Sequence, residues 1–149
     1  MKRPSCSAFL AALTLTLVSA PVPGSETAIV VDPADPELAW GPCPEFMPAG
    51  CEIAVLHGDP AKPNVDILFR VPGGSVIPPH AHTSAERMIL LSGELEVTYE
   101  GQDTVTIGAG QYAYGPAGAP HDAYCAQGDD CVLFIAFEEP LDAYPLDNE

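Results

Sequence analysis

Beyond residue 50 the chain reads as short runs, apolar throughout or at every second position, broken by clusters of turn-forming residues. The runs are Glu52 to His57, Val65 to Val71, Arg87 to Leu91, Leu95 to Tyr99, Thr104 to Ile107, Gln111 to Tyr114, His121 to Cys125 and Cys131 to Glu138. Successive side chains of an extended segment point to opposite faces, so this pattern predicts strands with one face buried. The runs are rich in Val, Ile and aromatic residues and are separated by Pro-Gly-Gly, Ser-Gly, Glu-Gly, Gly-Ala-Gly and Gly-Asp-Asp. Many short strands joined by tight turns predict an all-β fold, an antiparallel sandwich or barrel spanning 51–140 as a single domain. Residues 25–50 are rich in proline and acidic groups and read as an N-terminal arm, pinned by apolar anchors such as Trp40 and Phe46. Residues 141–149 read as an acidic C-terminal tail running over the surface.

The first 24 residues are of another kind. Lys2 and Arg3 precede a mostly apolar stretch from Ala8 to Val18, followed by small residues and prolines. This is the layout of a secretory signal peptide, cut after Ala20 or Gly24. A transmembrane helix needs roughly 20 apolar residues, more than this stretch supplies. The expected location is therefore periplasmic or secreted. Export changes how the cysteines read, because Cys6 leaves with the signal while Cys43, Cys51, Cys125 and Cys131 stay. An even number of cysteines in an oxidising compartment points to disulfides. Four cysteines allow three pairings. The spacing favours Cys43 with Cys51 and Cys125 with Cys131, each closing a short turn.

Charge narrows the partners. The full chain carries −16, and losing Lys2 and Arg3 makes it −18, with Lys62, Arg70 and Arg87 as the remaining cations. With no basic stripe to displace counterions from phosphates, nucleic acid and anionic membrane are excluded as partners. A solvated acidic shell that keeps the protein soluble accounts for the excess.

The candidate chemistry lies in two glycine-bracketed segments. The first is Gly74-x5-His80-x-His82-x3-Glu86-x6-Gly93; the second is Gly110-x5-Pro116-x-Gly118-x2-His121. In a strand, positions i and i+2 share a face, so His80 and His82 would present both rings to one space. Thr83, Ser84 and Ala85 would turn the chain so that Glu86, opening the next strand, faces back toward them. His121 follows a stretch whose glycines and prolines fix the entry of its strand. Three imidazoles and one carboxylate would hold one divalent transition metal ion and leave coordination positions free, a set that suits Fe, Mn, Zn or Ni better than Ca or Mg. His57 lies outside both segments and reads as a surface or loop residue. Tyr99, Tyr112 and Tyr114 read as barrel or sheet packing, with the lining of a pocket as the alternative role for one of them.

These spacings resemble the two motifs of the cupin superfamily. The first motif is matched at Gly74, His80, His82, Glu86 and Gly93, and the second at Gly110, Pro116, Gly118 and His121. Cys125 stands where the family pattern usually has asparagine. The short spacer between Gly93 and Gly110 is similar to that of small, exported, single-domain microbial cupins. The resemblance implies a jelly-roll β-barrel built as a double-sheet sandwich, with a metal at its mouth on the equivalents of His80, His82, Glu86 and His121. It also implies a small-molecule substrate or ligand and a homodimer. Cys125 is read as a disulfide staple rather than a fifth ligand.

The remaining inward-facing residues are mainly Leu, Ile, Val, Met, Phe and Tyr, so the expected pocket is small and apolar. A neutral or singly charged substrate fits it better than a polyanion. Arg87 alternates with Glu86 and should face away from the metal, while the facing of Arg70 does not follow from the pattern. The functional expectation is a metal-dependent enzyme, an oxygenase first, with a non-catalytic metal-dependent binding or sensing protein as the alternative. No catalytic residue beyond the metal set can be named from the sequence.

Overall fold

The structure is a computed structural model, and it describes residues 27–146. The signal-like segment 1–24 lies outside the described residues, as do residues 147–149. Residues 27–30 belong to an N-terminal unit of their own, and the unit that begins at Val31 carries every strand. No helix occurs among the described residues.

Eleven strands follow in order: β1 (Trp40–Pro42), β2 (Glu52–His57), β3 (Val65–Val71), β4 (Val76–Ala81), β5 (Glu86–Ser92), β6 (Glu94–Tyr99), β7 (Val105–Gly108), β8 (Tyr112–Gly115), β9 (His121–Cys125), β10 (Cys131–Phe137) and β11 (Tyr144–Pro145). They form two antiparallel sheets, ordered β1-β2-β3-β10-β5-β8 and β11-β4-β9-β6-β7. This is the double-sheet jelly roll that the alternating pattern and the motifs predict. The alternation is plainest in central β10, where Cys131, Leu133, Ile135 and Phe137 are buried and the residues between them are only half-buried. Together with Val65, Ile67 and Val71 of β3 and Leu95 and Val97 of β6 they form one core between the sheets. Each such side chain, fully buried, stabilises the fold by about 1.5–3 kcal/mol.

Both disulfides form with the pairing that the spacing favours, Cys43–Cys51 and Cys125–Cys131. The second does more than close a short turn. β9 pairs only with β4 and β6, and β10 only with β3 and β5. The bridge therefore ties one sheet to the other, and both of its cysteines are fully buried. The turn beside it needs Gly93: its φ is +80°, and a side chain there would lie 2.9 Å from the Asp130 carbonyl oxygen and from the Cys131 sulfur.

Three strands escape the hydrophobic pattern. β4 carries Pro78 and Pro79 in its interior. Its pairing with β9 slips there: Ile77 opposes Ala123 and His80 opposes His121, so β4 holds one residue more than its partner. Prolines cannot donate ladder hydrogen bonds, which suits them to such a bulge. The extra residue shifts the phase of the strand. Ile77 and His80, three apart, consequently both face the interior.

The two ends of the chain also depart from expectation. Within the arm, β1 joins the first sheet, and Trp40 lies under Arg70, whose guanidinium carbon is 4.1 Å from the ring centre. At the other end, residues 141–146 do not trail over the surface. Leu141 donates to the Pro60 carbonyl, β11 pairs with His80 and Ala81, and Leu146 donates to the Pro79 carbonyl.

Candidate metal centre

Four elements deliver the four motif residues to one place. His80 comes from the end of β4, His82 from just past it, Glu86 from the first position of β5 and His121 from the first position of β9. One ring nitrogen from each of His80, His82 and His121 lies within 4.8 Å of the other two. The Glu86 carboxylate stands against two of them, with Oε1 3.4 Å from His82 Nε2 and Oε2 3.8 Å from His121 Nε2. The turn expected at Thr83 to Ala85 is present as a bend at Thr83 and Ser84 between the histidine pair and the glutamate.

All three rings are fixed in the same way. His80 Nδ1 is 2.8 Å from the Pro78 carbonyl oxygen, His82 Nδ1 2.6 Å from that of Asp142, and His121 Nδ1 3.0 Å from that of Ala119. A carbonyl only accepts, so each Nδ1 must carry the proton, and in a neutral ring each Nε2 then presents a lone pair. The bulge therefore has two effects: it turns His80 inward and supplies the carbonyl that sets its tautomer.

Burial keeps these rings neutral. It pushes the His80 imidazole down to about 3, helped by the neighbouring His121 and His82. It lowers His82 and His121 as well, against the opposing pull of their carbonyl partners. Burial alone raises Glu86 to about 8. Uncharged imidazoles suit a cation, and a buried carboxyl that is largely protonated at neutral pH gains a reason to ionise when one arrives. His82 Nε2 is buried without any hydrogen-bond partner. An orphaned lone pair facing two more imidazoles and a carboxylate is what a divalent transition metal fits.

The set opens onto a cavity of about 260 Å³ between the sheets. Its walls include Ile67, Phe69, Met88, Leu95, Val97, Leu133, Ile135 and Phe137, and Cys43, Pro44 and Met47 of the disulfide-closed loop also line it. No cation lines it. Arg70 pairs with Glu52 and stacks on Trp40, Arg87 pairs with Glu138, and Lys62 pairs with Asp59. Arg87 faces away from Glu86 as alternation requires. Cys125 is bonded to Cys131 and is not among the residues lining the cavity.

Two residues of the site were not assigned to it from the sequence. Tyr99 lines the cavity, whereas Tyr112 and Tyr114 are exposed on β8. Its ring lies 4.8 Å from that of His121, and its hydroxyl is buried without a partner. Burial, and then the charge of Glu86, raise the pKa of the phenol and hold it protonated. Gly115 makes room for this arrangement, because a Cβ there would lie 2.4 Å from the Tyr99 hydroxyl and 3.0 Å from Glu86 Oε2. Inward parity with Leu95 and Val97 could have found Tyr99; nothing local could have found the second, Asp142. His57, at the end of β2, does not line the cavity.

An all-β jelly roll with three inward histidines at one end defines a cupin. The chain belongs to that superfamily, in the family described as the ChrR cupin-like domain, which matches residues 26–140. No curated protein matches it. Among solved structures it is similar to the polyketide cyclase RemF from Streptomyces resistomycificus, with 20% identity and a TM-score of 0.65 over 76% of this chain and 82% of that one. The DMSP lyase DddQ from Ruegeria pomeroyi DSS-3 is 20% identical with a TM-score of 0.62, over 72% of this chain and 60% of the lyase. Oxalate decarboxylase from Bacillus subtilis is 18% identical with a TM-score of 0.55, over 64% of this chain and 27% of the decarboxylase. At these identities the likeness establishes the fold alone.

Proposed function

We propose that the protein is a metal-dependent enzyme, a dioxygenase acting on a small, largely apolar molecule with one oxygen-bearing end. His80, His82, His121 and Glu86 would hold the ion. When bound, the metal would supply Lewis acidity and open positions at which dioxygen and a chelating substrate can meet. A dioxygenase places both oxygen atoms in its product and needs no external reductant.

One observation carries the choice of reaction: the chamber offers a proton donor but no free base. Tyr99 is held protonated. Asp142 also borders the cavity, and its carboxylate accepts from the Thr83 amide and hydroxyl. With Glu86 committed to the ion, proton abstraction has no obvious agent, whereas oxygen chemistry needs a dry chamber and a fixed donor. The Tyr99 hydroxyl would meet the substrate's oxygen and orient it, and the aliphatic walls would take the rest of the molecule and exclude water. With no cation in the lining, polyanionic substrates are disfavoured.

We extend the proposal to location. Two disulfides and a basic-then-apolar leader support export to an oxidising compartment.

The test is oxygen uptake by the iron-, manganese-, nickel- and zinc-loaded protein against small diketones and aromatic diols. Uptake equal to substrate consumed, reduced about 100-fold or more in Tyr99→Phe with metal content unchanged, is the expected result. Turnover that continues without oxygen would replace the oxygenase by a lyase, isomerase or cyclase. Saturable binding with no turnover would make the protein a metal-dependent binder or sensor.

A further inference from the structure

We infer that Asp142 is a positioning residue for metal binding, acting through the segment that follows β10. The inference rests on the metal-site reading above. Past Pro140 the chain crosses the end of the barrel as a strap: Leu141, Asp142 and Ala143 line the cavity, and β11 then pairs with the histidine-bearing end of β4.

Asp142 makes two kinds of contact. Its backbone carbonyl oxygen lies 2.6 Å from His82 Nδ1. Its carboxylate accepts from the Thr83 amide at 2.8 Å and from the Thr83 hydroxyl. Thr83 is the next residue after His82, so the carboxylate fastens the strap to the same turn whose histidine the carbonyl orients. The two contacts close a small loop of interactions between residues 60 positions apart.

The consequence falls on one atom. The Asp142 carbonyl holds the proton on Nδ1, which leaves His82 Nε2 as a lone pair, and that atom is buried with no other partner. His80 and His121 take their carbonyls from two residues upstream in their own segments, Pro78 and Ala119. These are local and do not involve Asp142. His82 alone borrows its partner from a distant part of the chain. Releasing the Asp142 side chain frees the carbonyl to drift and lets the His82 ring rotate or change tautomer. Outer partners of this kind govern metal affinity by about 10–100-fold.

The test compares wild type, Asp142→Ala, Asp142→Asn and Thr83→Val. Zinc affinity is measured by competition with a chromophoric chelator, the visible spectrum is recorded with Co(II), and thermal stability is recorded without metal. Asp142→Ala should bind zinc about 10–100-fold more weakly and show an altered cobalt spectrum. Asp142→Asn should recover most of the affinity, since its amide can accept from the Thr83 amide and donate to the Thr83 hydroxyl. Thr83→Val, which loses the hydroxyl alone, should fall between and keeps the test decisive if the alanine variant does not fold. Wild-type zinc affinity and cobalt spectrum in both Asp142→Ala and Thr83→Val would overturn the inference. So would equal losses in the alanine and asparagine variants that track their metal-free stability. A wild-type protein that binds neither metal would instead defeat the metal-site reading itself.

Discussion

Metal binding should release a proton from Glu86, and the amount should depend on pH in a way that the structure fixes. Burial holds the Glu86 carboxyl at about 8 in the metal-free protein, so it is largely protonated at neutral pH. A carboxyl with that value carries about 0.9 proton at pH 7 and about 0.1 at pH 9, all of which must leave when the group becomes a ligand. The histidines should contribute less than ordinary imidazoles would. His80 sits at about 3 and is neutral at pH 7, and His82 and His121 are also lowered and so hold less proton than an ordinary imidazole. An ordinary exposed imidazole would instead release about a quarter of a proton each.

Calorimetric titration of the metal-free protein in buffers of different ionisation enthalpy measures the release directly. The expected result is about one proton at pH 7, falling toward zero by pH 9. Ionisation of a metal-bound water adds to the total but survives in Glu86→Gln, so the difference between the two proteins isolates the carboxyl. A difference near zero at pH 7, or one that grows with pH, would refute the reasoning.

The same shifts set the stability of the metal-free protein. Glu86 is raised above its unfolded value, so its contribution is complete below about pH 4.5 and is lost as the pH rises through about 8; His80 is depressed, so its contribution is complete above about 6.5 and is lost as the pH falls toward about 3. Thermal melts should therefore show metal-free Glu86→Gln gaining on wild type as the pH rises from about 5 to about 9. A constant difference would contradict the shift. Gly115→Ala should cost about 1–3 kcal/mol in chemical denaturation and weaken metal binding, because its methyl meets the Tyr99 hydroxyl and Glu86; unchanged stability and affinity would show that the space is not needed. Replacing both Cys125 and Cys131 by alanine should cost about 2 kcal/mol, the loop-closure value for partners six positions apart. A loss near zero would mean that the bridge between the sheets is dispensable.

Much of the fold was legible because β6, β9 and β10 bury every second side chain between polar turns, and β2 and β3 are apolar runs of strand length. β4 was not, because Pro78 and Pro79 are poor strand formers and the bulge they make breaks the period. The four motif residues could be placed together without knowing that bulge, since the motif spacing already contains its extra residue. Their supporting atoms were hidden for a different reason. The carbonyl that orients His82 belongs to Asp142, and no local pattern says that a proline-containing acidic tail will fold back across the barrel. Tyr99 was visible as an inward position of β6, but only the assembled barrel shows its hydroxyl beside His121 and Gly115.

The central claim is that His80, His82, His121 and Glu86 together hold a divalent transition metal. Elemental analysis of the purified protein, side by side with a His80→Ala, His82→Ala double variant, tests it most directly. About one transition-metal ion per chain in the wild type, and little or none in a variant that still melts cooperatively, is the predicted result. Equal metal in both proteins, or none in either after incubation with iron, manganese, nickel and zinc, would contradict it.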